Sequence, residues 1–191
     1  MDKVLKNKKL VLFGLLITLS IISLLFIFGQ VSNNKAPTPT PRNSTQANYN
    51  SIVPGVSTKE EAIKKLGKPL NTDPNLLNFK SSSTNRNNQV VINQDKVSLI
   101  KEVVTLKDTK TVADITNVYG VAQKVLYGPD ADAGFYLFVY PSNGIAYLGH
   151  PESGLLLEIW YFPPTDLSSF EENYAKGYSE TFQEPGPESF N

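Results

Sequence analysis

Chemistry in this chain would have to come from very few side chains. The single histidine, His150, stands before Pro151 in a turn-forming run, and histidine is the side chain whose ordinary pKa suits proton transfer near neutrality. Asp130-Ala131-Asp132-Ala133-Gly134 opens in the manner of a calcium loop. It then departs from one, because Gly134 takes the third acidic position and Pro141 the place of a bidentate glutamate. His150, Asp130 and Asp132 together define one reading, an envelope hydrolase or calcium-dependent module. Against it, no Gly-x-Ser-x-Gly elbow, phosphate loop or His-x-x-His spacing accompanies them. Both turns are expected to be solvated, so no catalytic residue, metal site or cofactor is predicted and the chain reads as a non-enzyme.

The aromatic residues are the stronger signal. Fourteen of the twenty Phe, Tyr and Trp residues lie between Tyr119 and Phe182. Strand alternation sets Phe135, Leu137, Val139, Leu155, Leu157 and Ile159 on one face and Tyr136, Phe138, Tyr140, Glu158, Trp160 and Phe162 on the other. An aromatic face carrying one acid resembles an interface hot spot, and these six residues are the candidate partner-binding site. The competing reading is a covered core, with Phe170, Tyr174 and Tyr178 of a last helix lying over that face.

The elements around these residues follow from local chemistry. Ser57 or Thr58, with Glu60 or Glu61 three positions on, forms a helix start, and Gly67 and Pro69 close that helix. The pattern recurs loosely fifty-three positions later, where Thr111 and Asp114 open a helix and Gly120 ends it. Strand-like runs follow each copy: 76–80, 89–93 and 97–106, then 124–127, 135–140, 144–148 and 155–162. Thr165 or Asp166 caps a final helix. The sequence therefore predicts an α+β domain of two tandem repeats, 52–106 and 108–162, each a helix with an antiparallel sheet, and a C-terminal helix over 165–180.

The N-terminus predicts location. Residues 1–9 carry four Lys and one Asp, and 10–28 then run without a charge. Nineteen helical residues span about 28 Å, close to the roughly 30 Å of a hydrocarbon core. With the lysines on its N-terminal side, this N-terminal transmembrane helix reads as an uncleaved signal-anchor, with a cytoplasmic tail at 1–9 and everything after it extracytoplasmic. Residues 29–50, rich in Asn, Thr and Pro, read as a disordered linker of about 25 Å. The domain occupies 51–184 and a frayed tail 185–191. There is no Cys, which excludes disulfides, thiol catalysis and a lipid-modified cysteine.

Net charge is zero but uneven: residues 51–124 hold eleven Lys/Arg and seven Asp/Glu, whereas 125–191 hold Lys176 and ten acids. No basic stripe interleaved with aromatics exists, so nucleic acid is not an expected partner. The opposite charges of the halves could favour their packing together or steer a cationic partner to the second half, and plain solvated faces are the reading that needs least.

Pro54-Gly55-Val56-Ser57-Thr58, followed by an acid-led helix and Leu66-Gly67-Lys68-Pro69, resembles the opening of the BamE (SmpA/OmlA) family of envelope proteins. The tandem copies are similar to the β-lactamase-inhibitor-protein architecture. The resemblance implies an extracytoplasmic, non-enzymatic fold that binds other proteins. Taken together, the expected function is a membrane-anchored binding or scaffolding module for a protein or peptide partner at the cell envelope.

Overall fold

The computed structural model describes residues 46–71 and 73–182. The predicted tail, signal-anchor and most of the linker, at 1–45, lie outside the described residues, as does the predicted tail at 185–191. No helix among the described residues is long and apolar enough to cross a membrane.

Two short helices carry the predicted caps. In α1 (Lys59–Leu66) the Glu61 amide donates to Thr58 Oγ1 at 3.2 Å while the Thr58 amide donates to Glu61 Oε2 at 2.9 Å. In α2 (Val112–Tyr119) the same exchange joins Thr111 and Asp114. Gly67 and Gly120, both at positive φ, end them. Helices of eight residues do not persist alone in water, and each is held by its apolar side: Ala62, Ile63 and Leu66 from α1, and Val112, Ile115 and Tyr119 from α2, pack into one hydrophobic cluster.

The strands lie close to the predicted runs, but their arrangement does not follow the predicted fold. They are β1 (Leu76–Phe79), β2 (Asn88–Asn93), β3 (Lys96–Val103), β4 (Lys124–Tyr127), β5 (Tyr136–Tyr140), β6 (Ile145–Gly149) and β7 (Leu156–Tyr161). They form a single antiparallel sheet in the order β1-β2-β3-β7-β6-β5-β4. The expected α+β pair of tandem repeats is therefore corrected to one sheet-rich fold, a seven-stranded antiparallel sheet with three short α-helices among the described residues. The chain leaves β3, crosses through α2 to the far edge at β4, and returns by hairpins until β7 closes on β3. The pairing Lys101↔Trp160 and Glu102↔Ile159 stitches the two strand sets together. The sequence echo corresponds to α1 and α2, each an eight-residue helix with a capping box and a closing glycine.

The C-terminal helix is also shorter than predicted. It is α3 (Leu167–Tyr174), capped by Asp166, whose side chain accepts from the Ser169 amide at 2.9 Å. Tyr178 lies beyond it in a turn, and Ser179 pairs with Tyr127 at the edge of β4. At the other end of the domain, the last residues of the segment read as linker contact the fold: Ala47 is 2 % exposed and its amide donates to Asn143 O.

Both faces of the sheet are covered around its centre. One face, with Ile100, Tyr140, Ile145, Tyr147, Ile159 and Tyr161, lies under α1, α2, Tyr49 and Ile52. The opposite face, with Leu137, Val139, Ala146, Leu148, Trp160 and Phe162, lies under Phe170, Tyr174, Ala175 and Tyr178. Gly144, between β5 and β6, has φ +67°, and a Cβ there would meet Phe162 O at 2.2 Å.

Two substitutions test this core. Trp160→Ala should cost about 3–5 kcal/mol, the usual range for emptying a buried Trp site, read by chemical denaturation. Gly144→Ala should cost about 1–3 kcal/mol of backbone strain plus the displacement of β7, whereas Gly154→Ala, with nothing within 4 Å of its Cβ, should show strain alone.

Candidate functional site: an amide-lined cleft beside Trp160

The six predicted partner-binding residues do not share a surface. Phe138 pairs with Tyr147, and Tyr147 with Ile159, so Phe138 and Tyr140 lie on the α1/α2 face. Trp160 and Phe162 lie on the opposite face with Leu137 and Val139. Alternation within each strand is right, but the match between strands is offset by one residue. The register shifts at Leu148/Gly149, so that Leu148 faces Glu158, and a one-residue slip exchanges the faces of a whole strand.

Burial closes what remains of that surface. Trp160 is 1 % exposed and Phe162 is fully buried. Phe162 packs on Phe170 at 4.7 Å and Tyr174 at 5.3 Å, and Trp160 meets Tyr178 edge-on at 5.7 Å. Tyr140 is buried, its hydroxyl donating to Gly120 O at 2.9 Å, and Phe138 stacks on Tyr147 at 4.7 Å. Tyr136 is half-buried against Tyr127. The covered-core reading holds for Trp160 and Phe162, and of the six it is Glu158 that lines the cleft described next.

That cleft lies where the α3 cover stops. One row of the sheet runs Asn78↔Gln89↔Lys101↔Trp160 across β1, β2, β3 and β7. Trp160 is under the cover, while Asn78, Gln89 and Lys101 line a cleft of about 480 Å³ together with Asn85, Arg86, Asn87, Val103 and Glu158. Four side-chain amides, two cations and one carboxylate thus converge. Its electrostatics centre on the indole: Lys101 Nζ sits 3.8 Å from the Trp160 ring centroid, a cation–π contact. Trp160 Nε1 donates to Glu158 Oε2 at 2.6 Å, and Arg86 Nη2 pairs with Glu158 Oε1. Burial lowers the Lys101 pKa, with Glu158 opposing and Arg86 reinforcing.

The wall of the cleft is the connection 81–87, which is fixed at both ends. Ser83 Oγ accepts from the amides of Asn85 and Arg86, and the Ser83 amide donates to Ser81 Oγ. Ser82 Oγ donates to Asp108 Oδ2 at 2.6 Å, where the Thr105 amide and hydroxyl also converge at 2.7 and 2.9 Å. The Ser82 hydroxyl, and then the Thr105 groups against a small burial penalty, hold the Asp108 carboxyl below the usual range.

The sheet edges are occupied by the chain itself. The Asn71 side chain donates to Leu76 O at 2.6 Å and accepts from the Asn78 amide at 2.8 Å, standing in for a neighbouring strand beside β1. At β4, Tyr127 and Ser179 exchange two backbone bonds of 2.8 Å. A partner adding a strand would have to displace these bonds.

The two predicted turns are arranged differently. His150 Nδ1 accepts from the Ser153 amide at 3.3 Å and its ring lies edge-on to Phe135 at 5.5 Å. Its Nε2 lies over Gly134, where a Cβ would approach to 2.6 Å. Asp130 precedes the 3-10 turn Ala131–Ala133 and Asp132 lies within it, and no hydrogen bond joins either to His150 among the described residues. No group of three or more metal-ligating side chains is found among the described residues.

Sequence reasoning missed the cleft because its residues are isolated polar positions in strands and a polar loop. The available signal was Gln89 and Lys101, polar residues at inward-alternating positions of apolar strands. Two outcomes follow from the wall's anchoring. Because the folded-state pKa of Asp108 lies below its unfolded value of about 3.9, its stabilisation is full above that pH and is lost as pH falls through the lowered value. Asp108→Ala should therefore flatten the dependence of Tm on pH below about 4 and raise amide exchange in 81–87 at neutral pH, read by NMR.

No protein-family model and no curated protein matches the chain. A solved structure of a DUF4309 family protein (YjgB) from Bacillus subtilis subsp. subtilis str. 168 is similar to it at 14% identity, covering 59% of this chain and 82% of that one with a TM-score of 0.42.

Proposed function

We propose that this chain is a non-catalytic binding module for a protein or peptide partner at the cell envelope, held on the extracytoplasmic side of the membrane by residues 10–28. One observation carries the reading: the uncovered end of an otherwise covered sheet face forms a cleft in which Asn78, Asn85, Asn87 and Gln89 surround Lys101. Side-chain amides each offer donors and an acceptor, as a peptide group does, and a cleft with few convergent polar groups is the usual form of a binding site. The fixed 81–87 wall supports the same reading, because a preorganised surface loses less entropy on binding. The Pro54–Pro69 resemblance to BamE-type modules, which bind other proteins, points the same way. The aromatic residues act as the rigid floor of this site rather than as its contact surface.

A photo-crosslinking residue placed at Asn85 in the full chain, expressed in cells, should yield one discrete crosslinked species. The same residue at Lys64, on α1 across the sheet, should not yield it. Loss of the Asn85 adduct in the Asp108→Ala background would tie it to the shape of the cleft. An adduct formed equally from both positions, or from neither, would contradict the reading.

A further inference from the structure

The charges of the cleft do not balance. Glu158 has both oxygens engaged within the protein, Oε1 by Arg86 and Oε2 by the indole N–H of Trp160. Arg86 is correspondingly turned to the carboxylate. Lys101 is the remaining charge, and among the described residues no oxygen lies within ion-pair or hydrogen-bond distance of its Nζ. Its charged contact is the face of the Trp160 ring, which uses the cation's field but none of its three N–H donors. The group is partly withdrawn from water, consistent with its lowered pKa. A half-buried ammonium with unmet donors, beside a neutralised Arg86–Glu158 pair, leaves one positive charge facing the cleft.

The neighbours of Lys101 define what else the ligand must offer. Gln89 and Asn78 follow it along one row of the sheet, on β2 and β1, at strand spacings of about 4.8 Å. An extended peptide crossing these strands presents peptide groups at about 3.4 Å per residue, each able to pair with a side-chain amide. The strands that frame the cleft belong to the basic half of the sequence, eleven Lys/Arg and seven Asp/Glu over 51–124, although the α1 lysines lie across the sheet and Lys124 at its far edge; a net positive field draws acidic partners. The aromatic face on which a sugar ring would stack is closed, since Trp160 is 1 % exposed.

Resting on the binding-module reading, we propose that the cleft selects an acidic peptide segment, seating a Glu or Asp carboxylate on Lys101 Nζ and the adjoining peptide groups on Gln89 and Asn78. The acid-rich second half of the chain, which from sequence could steer a cationic partner, contributes to this site only Glu158, and that carboxylate is already paired.

The chain holds a single Trp, and it lies against Lys101, so intrinsic fluorescence reports directly on this site. The full chain in detergent micelles is titrated with an end-blocked peptide alternating Glu and Gly, and with the same peptide carrying Gln in place of Glu. Inorganic phosphate and a short polygalacturonate are run beside them. The Glu peptide should give a saturable change in Trp160 emission and bind about tenfold tighter than the Gln peptide, as a charge-assisted contact requires. That advantage should shrink as salt is raised. Lys101→Met keeps the stem over the indole and should abolish the preference, while Lys107→Met, an equal change of charge at an exposed site, should leave it intact. The comparison of the two peptides on the unaltered chain decides the question even if Lys101→Met fails to fold. Equal affinity for the Glu and Gln peptides would overturn the acidic selection and leave the binding module standing. Tighter binding of phosphate or polygalacturonate than of the Glu peptide would overturn the peptide assignment. No binding of either peptide, with the Asn85 crosslink still present, would overturn this inference alone; loss of that crosslink too would overturn both readings.

Discussion

Strand β7 lies between β3 and β6, and its last three residues, Ile159 to Tyr161, are buried on both faces of the sheet. Ile159 and Tyr161 reach into the layer under α1 and α2, while Trp160 and the following Phe162 reach into the layer under α3. The first three strands and the last four meet only through this strand. Burying a Trp and a Phe of this kind removes roughly 150–250 Å² of surface each from water, the scale of contact needed to hold a late-arriving strand in the middle of a sheet. The long crossover through α2 places β4 at the far edge, and the return meander leaves β7 as the strand that closes the gap.

The cleft follows from the same geometry. The cluster covered by α3 and residues 175–178 takes in Leu99 of β3 and, at its margin, Val91 of β2, but along the row through Trp160 the cover ends at β7. Beyond that line the row continues as Lys101, Gln89 and Asn78, polar and open. Trp160 therefore has two roles at one position: its ring closes the core, and its outer face and N–H organise Lys101 and Glu158. Arg86 brings the 81–87 connection onto Glu158, and Asp108 holds its other end through Ser82. Buried polar networks of this sort are costly unless every member is satisfied. Glu158 is satisfied and Lys101 is not, and this imbalance points outward to a ligand.

The local parts of the fold were legible in the sequence. Ser57-Thr58 with Glu60-Glu61, and Thr111 with Asp114, announced both caps, the structure choosing Thr58 and Glu61 for the first, and Gly67 and Gly120 announced where the helices end, because capping is a contest among neighbours in the chain. The strand runs were legible for the same reason. The sheet order was not, since nothing within residues 97–103 states that their partner is Trp160 rather than Lys124. The candidate site failed on the same ground. Tyr136, Phe138 and Tyr140 do share a face, and so do Glu158, Trp160 and Phe162, but setting the two triplets side by side requires the β6–β7 register, which a bulge displaces. The contact of Lys101 with the Trp160 ring likewise depends on the β3–β7 pairing, which nothing local to Lys101 specifies.

Hydrogen exchange of the backbone amides in the native protein tests the central claim, that β7 makes one cooperative sheet out of two strand sets and so creates the cleft. The amides that join β3 to β7, around Lys101 and Trp160, should exchange only through global unfolding, with the same free energy as those joining β5 to β6 and β2 to β3. If the β1–β3 and β4–β7 amides instead exchange with separate free energies, and the β3–β7 pair is among the least protected, the sheet is two independent units and the account is contradicted.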